Sequence, residues 1–413
     1  MGTNFSRRTV FFILLGISLL SLTLQLSIIL IPEQSLWGPD GGTYVGIANA
    51  IGEPLDIFRS DLGDGGYWAI GYPIFLSLVG LLPGDTTTSA VFIQSLLLIA
   101  TSTAAFGVAA PLPMLLRVVT FSLVALSPSL LFASRVIGYE SLLMFLLTIA
   151  IYFVMRIRKR LNGFILSALA AGFVLGLATW VQSKTLALMP VFVLALLVTR
   201  PFRDGFVKAG WLVAGYLSLT GLLAIRNGVS TGSFSPVTSN AAVNIHIGNS
   251  PGSSGRYEDV AFPPGWRETL SERVLTFALD QPREFVALQV RKMVELFVPT
   301  RERPDFGLMP LDLSLEALQM IWLAALALGL GLFVAGLALR ALGRYSDFWP
   351  VAFIVVVGLS THIPFIAEAR MRIPYEPSLV ILTVTAIAVL IRRWKSDSSD
   401  ASVDNKMRNR STD

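Results

Sequence analysis

Residues 140–199 read ESLLMFLLTIAIYFVMRIRKRLNGFILSALAAGFVLGLATWVQSKTLALMPVFVLALLVT. Three apolar runs sit here almost end to end, over 140–156, 163–181 and 184–199. About 20 apolar residues in a helix cross the hydrocarbon of a bilayer, and a soluble core helix needs fewer. The first connection holds Arg156, Arg158, Lys159 and Arg160, and the second is only the few residues around Lys184. A basic turn followed by a nearly uncharged one is the pattern of helices that pass back and forth through a membrane.

Working outward, further runs near 10–31, 88–109, 118–135, 208–225, 316–339, 347–366 and 373–391 give an all-α polytopic membrane protein with about ten spans. The composition agrees. Of 413 residues 54% are hydrophobic and 14% charged, and the mean hydropathy is +0.67, against roughly 25% charged residues in a soluble domain. The first run follows Arg7 and Arg8 as a secretory signal does, but it is longer than a signal core and no small-residue cleavage pattern follows, so it reads as a retained anchor. Residues 1–395 are expected to form one membrane domain, with a first extracytoplasmic segment at 32–87 and a second at 226–315, ahead of a polar, disordered tail over 396–413. Inside the first segment, 71–83 is too short to span and reads as a re-entrant or interfacial helix; inside the second, a helical stretch is expected near 269–297.

Basic residues of short connections mark the cytoplasmic face. Arg7, Arg8, Arg117, the 156–160 cluster, Arg200, Arg203, Lys208, Arg340, Arg344 and the tail all fall on one side if the N-terminus is inside. Both termini are then cytoplasmic, in a bacterial inner membrane. The net charge of +5 is this topological bias, and nucleic-acid binding does not follow from it. With no cysteine, disulfides, thiol nucleophiles and cysteine metal sites are excluded. No Walker-type loop, HExxH or GxGxxG is present, so an ATP-driven pump or an intramembrane zinc protease lacks its equipment.

Ionisable side chains at membrane depth are costly unless paired or wet. Here Asp40, Arg59, Asp61, Asp64, Arg135, Glu140, Lys184, Arg226, His246, His362, Glu368, Arg370 and Arg372 gather at the outer ends of the spans. Several have ordinary explanations. Asp40, before TYVGIANAI, is placed as a helix N-cap would be; Asp61 and Asp64 read as turn residues; Lys184 is able to snorkel; Arg135 and Glu140 flank one turn as an ion pair would. Arg370 and Arg372, in EARMRIPYEP, run against the positive-inside trend and resist such a reading. Small residues at Ala168, Gly172 and Gly176 recur every four positions, which lets helix backbones approach closely in lipid.

Five blocks together resemble a known family: PDGGTYVGIANAI; GYPIFLSL; GYESLLMFLLTIAIYF; GFVLGLATWVQSKTLALMP; and AIRNGVSTGSFSPVTSNAAVNIHIGNSPGSSGRY with EARMRIPYEPSLVIL. In order and spacing they are similar to the membrane-embedded GT-C glycosyltransferases, particularly polyprenyl-phosphate-sugar users related to the aminoarabinose and protein O-mannosyl transferases. The resemblance implies a sugar moved from a polyprenyl phosphate to an envelope glycan, lipid or protein. It implies Asp40 and Glu140 as the catalytic carboxylates. Lys184, Arg370, Arg372 and Arg135 are candidates for the donor phosphate, and Tyr44, Tyr72, Tyr139, His246 and Asn249 for substrate contacts. The chain departs from the pattern at Gly41, where members carry a second acidic residue, and at Gln182, where they carry arginine. Metal use is left open by these departures; the sequence points to no definite cofactor, and a divalent cation is compatible with the acidic set. A glycan polymerase or ligase using a diphosphate-linked donor, and a transporter or flippase, are the alternatives.

Overall fold

The computed structural model describes residues 6–26, 40–159, 164–199, 201–258, 260–298 and 313–410. Arg160, Arg200, residues 27–39 of the first span and segment, and residues 301–312 lie outside them, as does the side chain of Asp64. Among the described residues there is no β-strand. In lipid every backbone N–H and C=O must be satisfied within the chain, and helices do this segment by segment.

The N-terminal run forms α1 (Arg7–Leu26). The first segment folds as α2 (Gly41–Asn49), a 3-10 turn Pro54–Phe58, α3 (Gly63–Gly66) and α4 (Gly71–Val79). Next come α5 (Thr86–Val108), α6 (Met114–Ala125), α7 (Pro128–Ala133), α8 (Glu140–Ile157) and α9 (Ile165–Val181). A 3-10 turn Ser183–Leu188 then runs into α10 (Met189–Leu197), followed by α11 (Phe202–Thr231). The second segment holds α12 (Asn240–Asn249), α13 (Leu270–Asp280) and α14 (Pro282–Glu295). The chain closes with α15 (Leu313–Ala338), a 3-10 turn Gly343–Phe348, α16 (Trp349–Ser360), a 3-10 turn Ala369–Tyr375 and α17 (Glu376–Arg410).

Among the described residues six helices are long and apolar enough to cross a membrane: Arg7–Leu26, Thr86–Val108, Glu140–Ile157, Phe202–Thr231, Ala317–Ala338 and Ala369–Trp394. The other expected spans coincide with shorter apolar helices at Met114–Ala125, Ile165–Val181, Ser183–Leu197 and Tyr345–Ser360. The single span expected over 118–135 is two helices, for a local reason. Ser127 caps the second through its side chain, which accepts from Leu130 N, and Pro128 occupies the first helical position. Proline cannot continue the preceding helix and suits the first turn of the next.

Three boundaries differ from expectation. Helix α11 continues to Thr231 and stops at Gly232, whose φ of +78° is the left-handed cap that glycine adopts freely; Arg226 is therefore helical. The stretch expected near 269–297 is broken between α13 and α14 at Gln281–Pro282. The tail expected to be disordered continues α17 as helix to Arg410.

The α9–α11 crossing uses the small residues seen in the sequence. A side chain at Gly172 would strike the Leu212 carbonyl, and one at Gly176 would lie 2.7 Å from Leu219 Cβ. Helix α17 is the central strut, with Leu379, Val380, Ile381 and Leu382 all fully buried. The two connecting segments are tied to the bundle by their backbones. Arg226 donates from Nε to Ile57 O at 2.7 Å and from Nη2 to Leu62 O at 3.3 Å. Ser239 N donates to Gly66 O at 3.1 Å, and Ala367 N to Gly255 O at 2.9 Å. These ties roof one end of the bundle.

Candidate active site

Asp40 immediately precedes α2, yet its side chain makes no cap hydrogen bond to that helix. Its Oδ2 instead accepts from Arg370 Nη1 at 2.9 Å, across 330 residues of sequence. Arg370 belongs to the 3-10 turn before α17. The same Nη1 reaches Glu140 Oε1 at 3.4 Å, while Nε donates to Glu368 Oε2 at 2.9 Å. Glu140 begins α8, where the free N–H groups of the helix start favour a carboxylate. Gly138 makes its conformation accessible, since a Cβ there would collide with Glu140 Oε2. Three carboxylates thus surround one guanidinium.

Lys184 approaches from another side. It lies in the turn between α9 and α10, with Nζ 3.2 Å from His362 Nδ1 and 4.6 Å from the centre of the Phe365 ring. When Lys184 carries its charge, Nζ donates and His362 Nδ1 accepts. Asp40, Arg370 and Lys184 all line one cavity of about 620 Å³, whose wall also includes Tyr44, Tyr139, Gln182, Asn240, Asn244 and Tyr257. That volume lies within the roughly 300–1,000 Å³ typical of small-molecule sites. Burial, with the Glu140 carboxylate beside it, holds the Tyr139 phenol above its usual pKa, and the Gln182 side chain hydrogen-bonds it. The phenol therefore stays protonated at neutral pH.

Other sequence candidates lie elsewhere. Tyr72 is fully buried one layer behind Tyr44, at 5.2 Å between ring centres. Its hydroxyl donates to Gln94 Oε1 at 2.8 Å and accepts from Gly138 N at 3.0 Å. It thus supports the turn that carries Tyr139 and Glu140. Arg135 donates through Nη2 to Leu24 O on α1, away from the cavity. Arg372 is turned into packing against Glu376, Ser129 and Leu296 O. His246 hydrogen-bonds Ala261 O at 3.1 Å among the rings of Phe262 and Trp266. Asn249 is a hub of the second segment, donating to Ile245 O and Pro364 O and accepting from Lys292 Nζ at 2.9 Å. Arg59 and Asp61 form an exposed pair at 2.6 Å.

Glu368 and His362 were visible in the sequence only as members of the outer charged set, and both contact the cavity cations. Glu368 had a local signal, two residues before Arg370 in EARMR. Gln94, Asn240, Asn244 and Tyr257 had none that separates them from other polar residues. Among the described residues, no three acidic, histidine or cysteine side chains are grouped to hold a metal ion; Asp40 and Glu140 are joined through the guanidinium between them.

No protein-family model matches the chain, and no curated protein matches it. Solved structures do. The oligosaccharyltransferase of Archaeoglobus fulgidus tethered with an acceptor peptide containing the NVT sequon superposes with a TM-score of 0.55 at 15% identity, over 94% of this chain and 50% of that one. Archaeal oligosaccharyltransferase AglB from the same organism, in complex with an inhibitory peptide and a dolichol-phosphate, gives 0.56 at 14%, over 94% and 52%. The apo form gives 0.54 at 15%, over 97% and 52%. The chain spans about half the length of these structures. At such identities the likeness is one of fold alone.

Proposed function

We propose that the chain is a membrane glycosyltransferase that moves a sugar from a polyprenyl-phosphate donor to an envelope acceptor, on the extracytoplasmic face of a bacterial inner membrane and with inversion. Residues 1–395 act in this reading as one membrane domain, and the basic residues of the opposite end support cytoplasmic termini. One observation carries this reading: the Asp40 carboxylate, free of any capping role, meets the Arg370 guanidinium at 2.9 Å in a cavity that Lys184 also lines.

In this reaction the acceptor hydroxyl attacks the anomeric carbon, the bond from that carbon to the phosphate oxygen breaks, and the hydroxyl proton passes to Asp40. Positive charge fixed where the leaving phosphate gains negative charge stabilises the transition state more than the ground state. Arg370 and Lys184 supply that charge. A phosphate competes with Asp40 and Glu140 for Arg370 Nη1, so donor binding loosens Asp40 for its work as base. Glu140 and Glu368 keep the guanidinium oriented. Tyr139 and Tyr44 line the sugar's path. Attack opposite the leaving phosphate inverts the anomeric centre.

The test is Asp40→Asn in proteoliposomes supplied with a synthetic polyprenyl-phosphate sugar. Transfer is lost while the variant folds and inserts normally; near-normal turnover refutes the assignment. A second reading, transfer of an oligosaccharide rather than a single sugar, is favoured by the likeness to oligosaccharyltransferases. Offering the two donor types to one preparation separates them.

A further inference from the structure

A second cavity, of about 260 Å³, lies beside the first, and Tyr67 and Tyr257 line both. Phe262 and Trp266, at 4.9 Å between ring centres, add two more aromatic rings to its wall, and Val243, Ile247 and Val260 supply an aliphatic part. His246, buried beneath, packs in a tilted arrangement against both rings, its centre 4.9 Å from that of Phe262 and 5.2 Å from that of Trp266. Arg267 covers part of Trp266 at 5.3 Å. Phe262 and Tyr257 keep large accessible faces, 44% and 46% exposed. Among the described residues one carboxylate, Glu258, joins this wall; its Oε1 accepts from Ser254 N at 2.9 Å and so holds the group in place.

Rigid rings with one fixed acidic group on the rim form a surface with two chemistries. The rings offer flat faces to axial C–H bonds, and the carboxylate accepts from hydroxyls at the ring edge. A pyranose presents both at once. An aliphatic lipid chain would desolvate Glu258 while adding no donor beyond the Ser254 N–H, which is costly for a carboxylate. The volume is below the roughly 300–1,000 Å³ of most ligand sites and suits one ring.

We propose that this second cavity is a saccharide subsite, holding a sugar ring of a glycan acceptor next to the transfer site. The inference rests on the transferase reading and names its acceptor class. Tyr67 and Tyr257, shared by the two cavities, lie between the bound ring and the hydroxyl that reacts.

The test uses the full chain in lipid nanodiscs without donor, and saturation-transfer NMR with methyl glycosides of glucose, galactose, mannose and arabinose. At least one glycoside receives saturation at its ring C–H protons. Phe262→Ala weakens that signal about two- to tenfold, the loss of one aromatic face. Trp266→Phe, which keeps a ring, retains it and serves as the second variant should the first fail to fold. No binding by any glycoside overturns the proposal, as does binding indifferent to Phe262→Ala. A peptide carrying Asn-Val-Thr that binds in the glycosides' place, with the same sensitivity, overturns it in favour of a protein acceptor. Because binding is scored without donor, this outcome and the turnover of Asp40→Asn fail independently.

Discussion

Arg370 and Arg372 stand two residues apart on one 3-10 turn and belong to different parts of the molecule. Residues two apart on such a turn point in widely separated directions, so one arginine enters the cavity and the other the packing behind it. The Arg370 side chain is 12% exposed and, among the described residues, bonds to the carboxylates of Asp40, Glu140 and Glu368. The Arg372 side chain is 1% exposed, and Glu376 is fully buried. Arg372 donates to Leu296 O at 2.5 Å, Val298 O at 3.3 Å and Ser129 Oγ at 3.3 Å as well as to Glu376. Ser127 Oγ and the Trp322 indole hold the other oxygen of Glu376 at 2.5 and 2.8 Å. A guanidinium facing a cavity can exchange one anion for another. One locked to backbone carbonyls between α7, α14 and α17 cannot.

The largest effect that sharpens this contrast is on stability. Arg372→Met strands the buried Glu376 and is expected to cost about 3–5 kcal/mol, measured by unfolding in mild detergent. The double variant Arg372→Met with Glu376→Met removes both charges and recovers much of the loss, since the pair is coupled. If Arg372→Met instead stayed stable and lost transfer, the division between the two arginines would collapse. Arg370→Gln is expected to fold and to lose about 10²–10³ in kcat, the size of a removed transition-state donor. Arg370→Lys, which retains charge without the fork that spans two carboxylates, should fall between Gln and wild type.

These two residues also mark how far the sequence could be read. Apolar runs of spanning length give the helices, because a bilayer leaves the backbone no other choice; among the described residues six of these runs form helices of spanning length and the others coincide with shorter apolar helices. The α9–α11 contact was legible for a similar reason: small residues four apart have few other uses. Asp40 was not decidable, since a residue before a helix looks the same whether it caps or catalyses. The difference lies in a contact with Arg370, which no local pattern contains. Arg372 was placed with Arg370 because adjacency hides direction. His246 and Asn249 are polar residues in a loop by sequence, and the structure uses them to pin α12 to its neighbours.

A smaller effect tests how the wall of the cavity is set. Helix α4 meets α9 at Gly71, where a Cβ would come within 2.5 Å of the Trp180 backbone. Backbone cannot move aside as a side-chain tip does, so Gly71→Ala must push the two helices apart at a cost of about 1–3 kcal/mol. Trp180 lies two residues before Gln182, which lines the cavity. KM for the donor should therefore rise more than the loss of stability alone accounts for. A change in stability with KM intact would confine the effect to packing.

The finest test concerns a third buried cation, which unlike either arginine can give up its charge. Lys292 on α14 is fully buried, and its Nζ donates to Asn249 Oδ1 at 2.9 Å and Ile363 O at 2.8 Å. Both partners are neutral, so nothing offsets the loss of water, and burial pulls its pKa down to about 7. In the unfolded chain a lysine titrates near 10.4. Between about 7 and 10.4 the unfolded state then holds a proton that the folded state lacks, so stability rises with pH across that window and is flat on either side. The difference in melting temperature between wild type and Lys292→Met, followed from pH 6 to pH 9, should move in favour of wild type as pH rises, with the change beginning near 7. Movement the other way would mean that the charged ammonium, not the neutral amine, ties α14 to α12 and to the segment behind His362. Lys292 would then belong with Arg372 as a permanent structural charge.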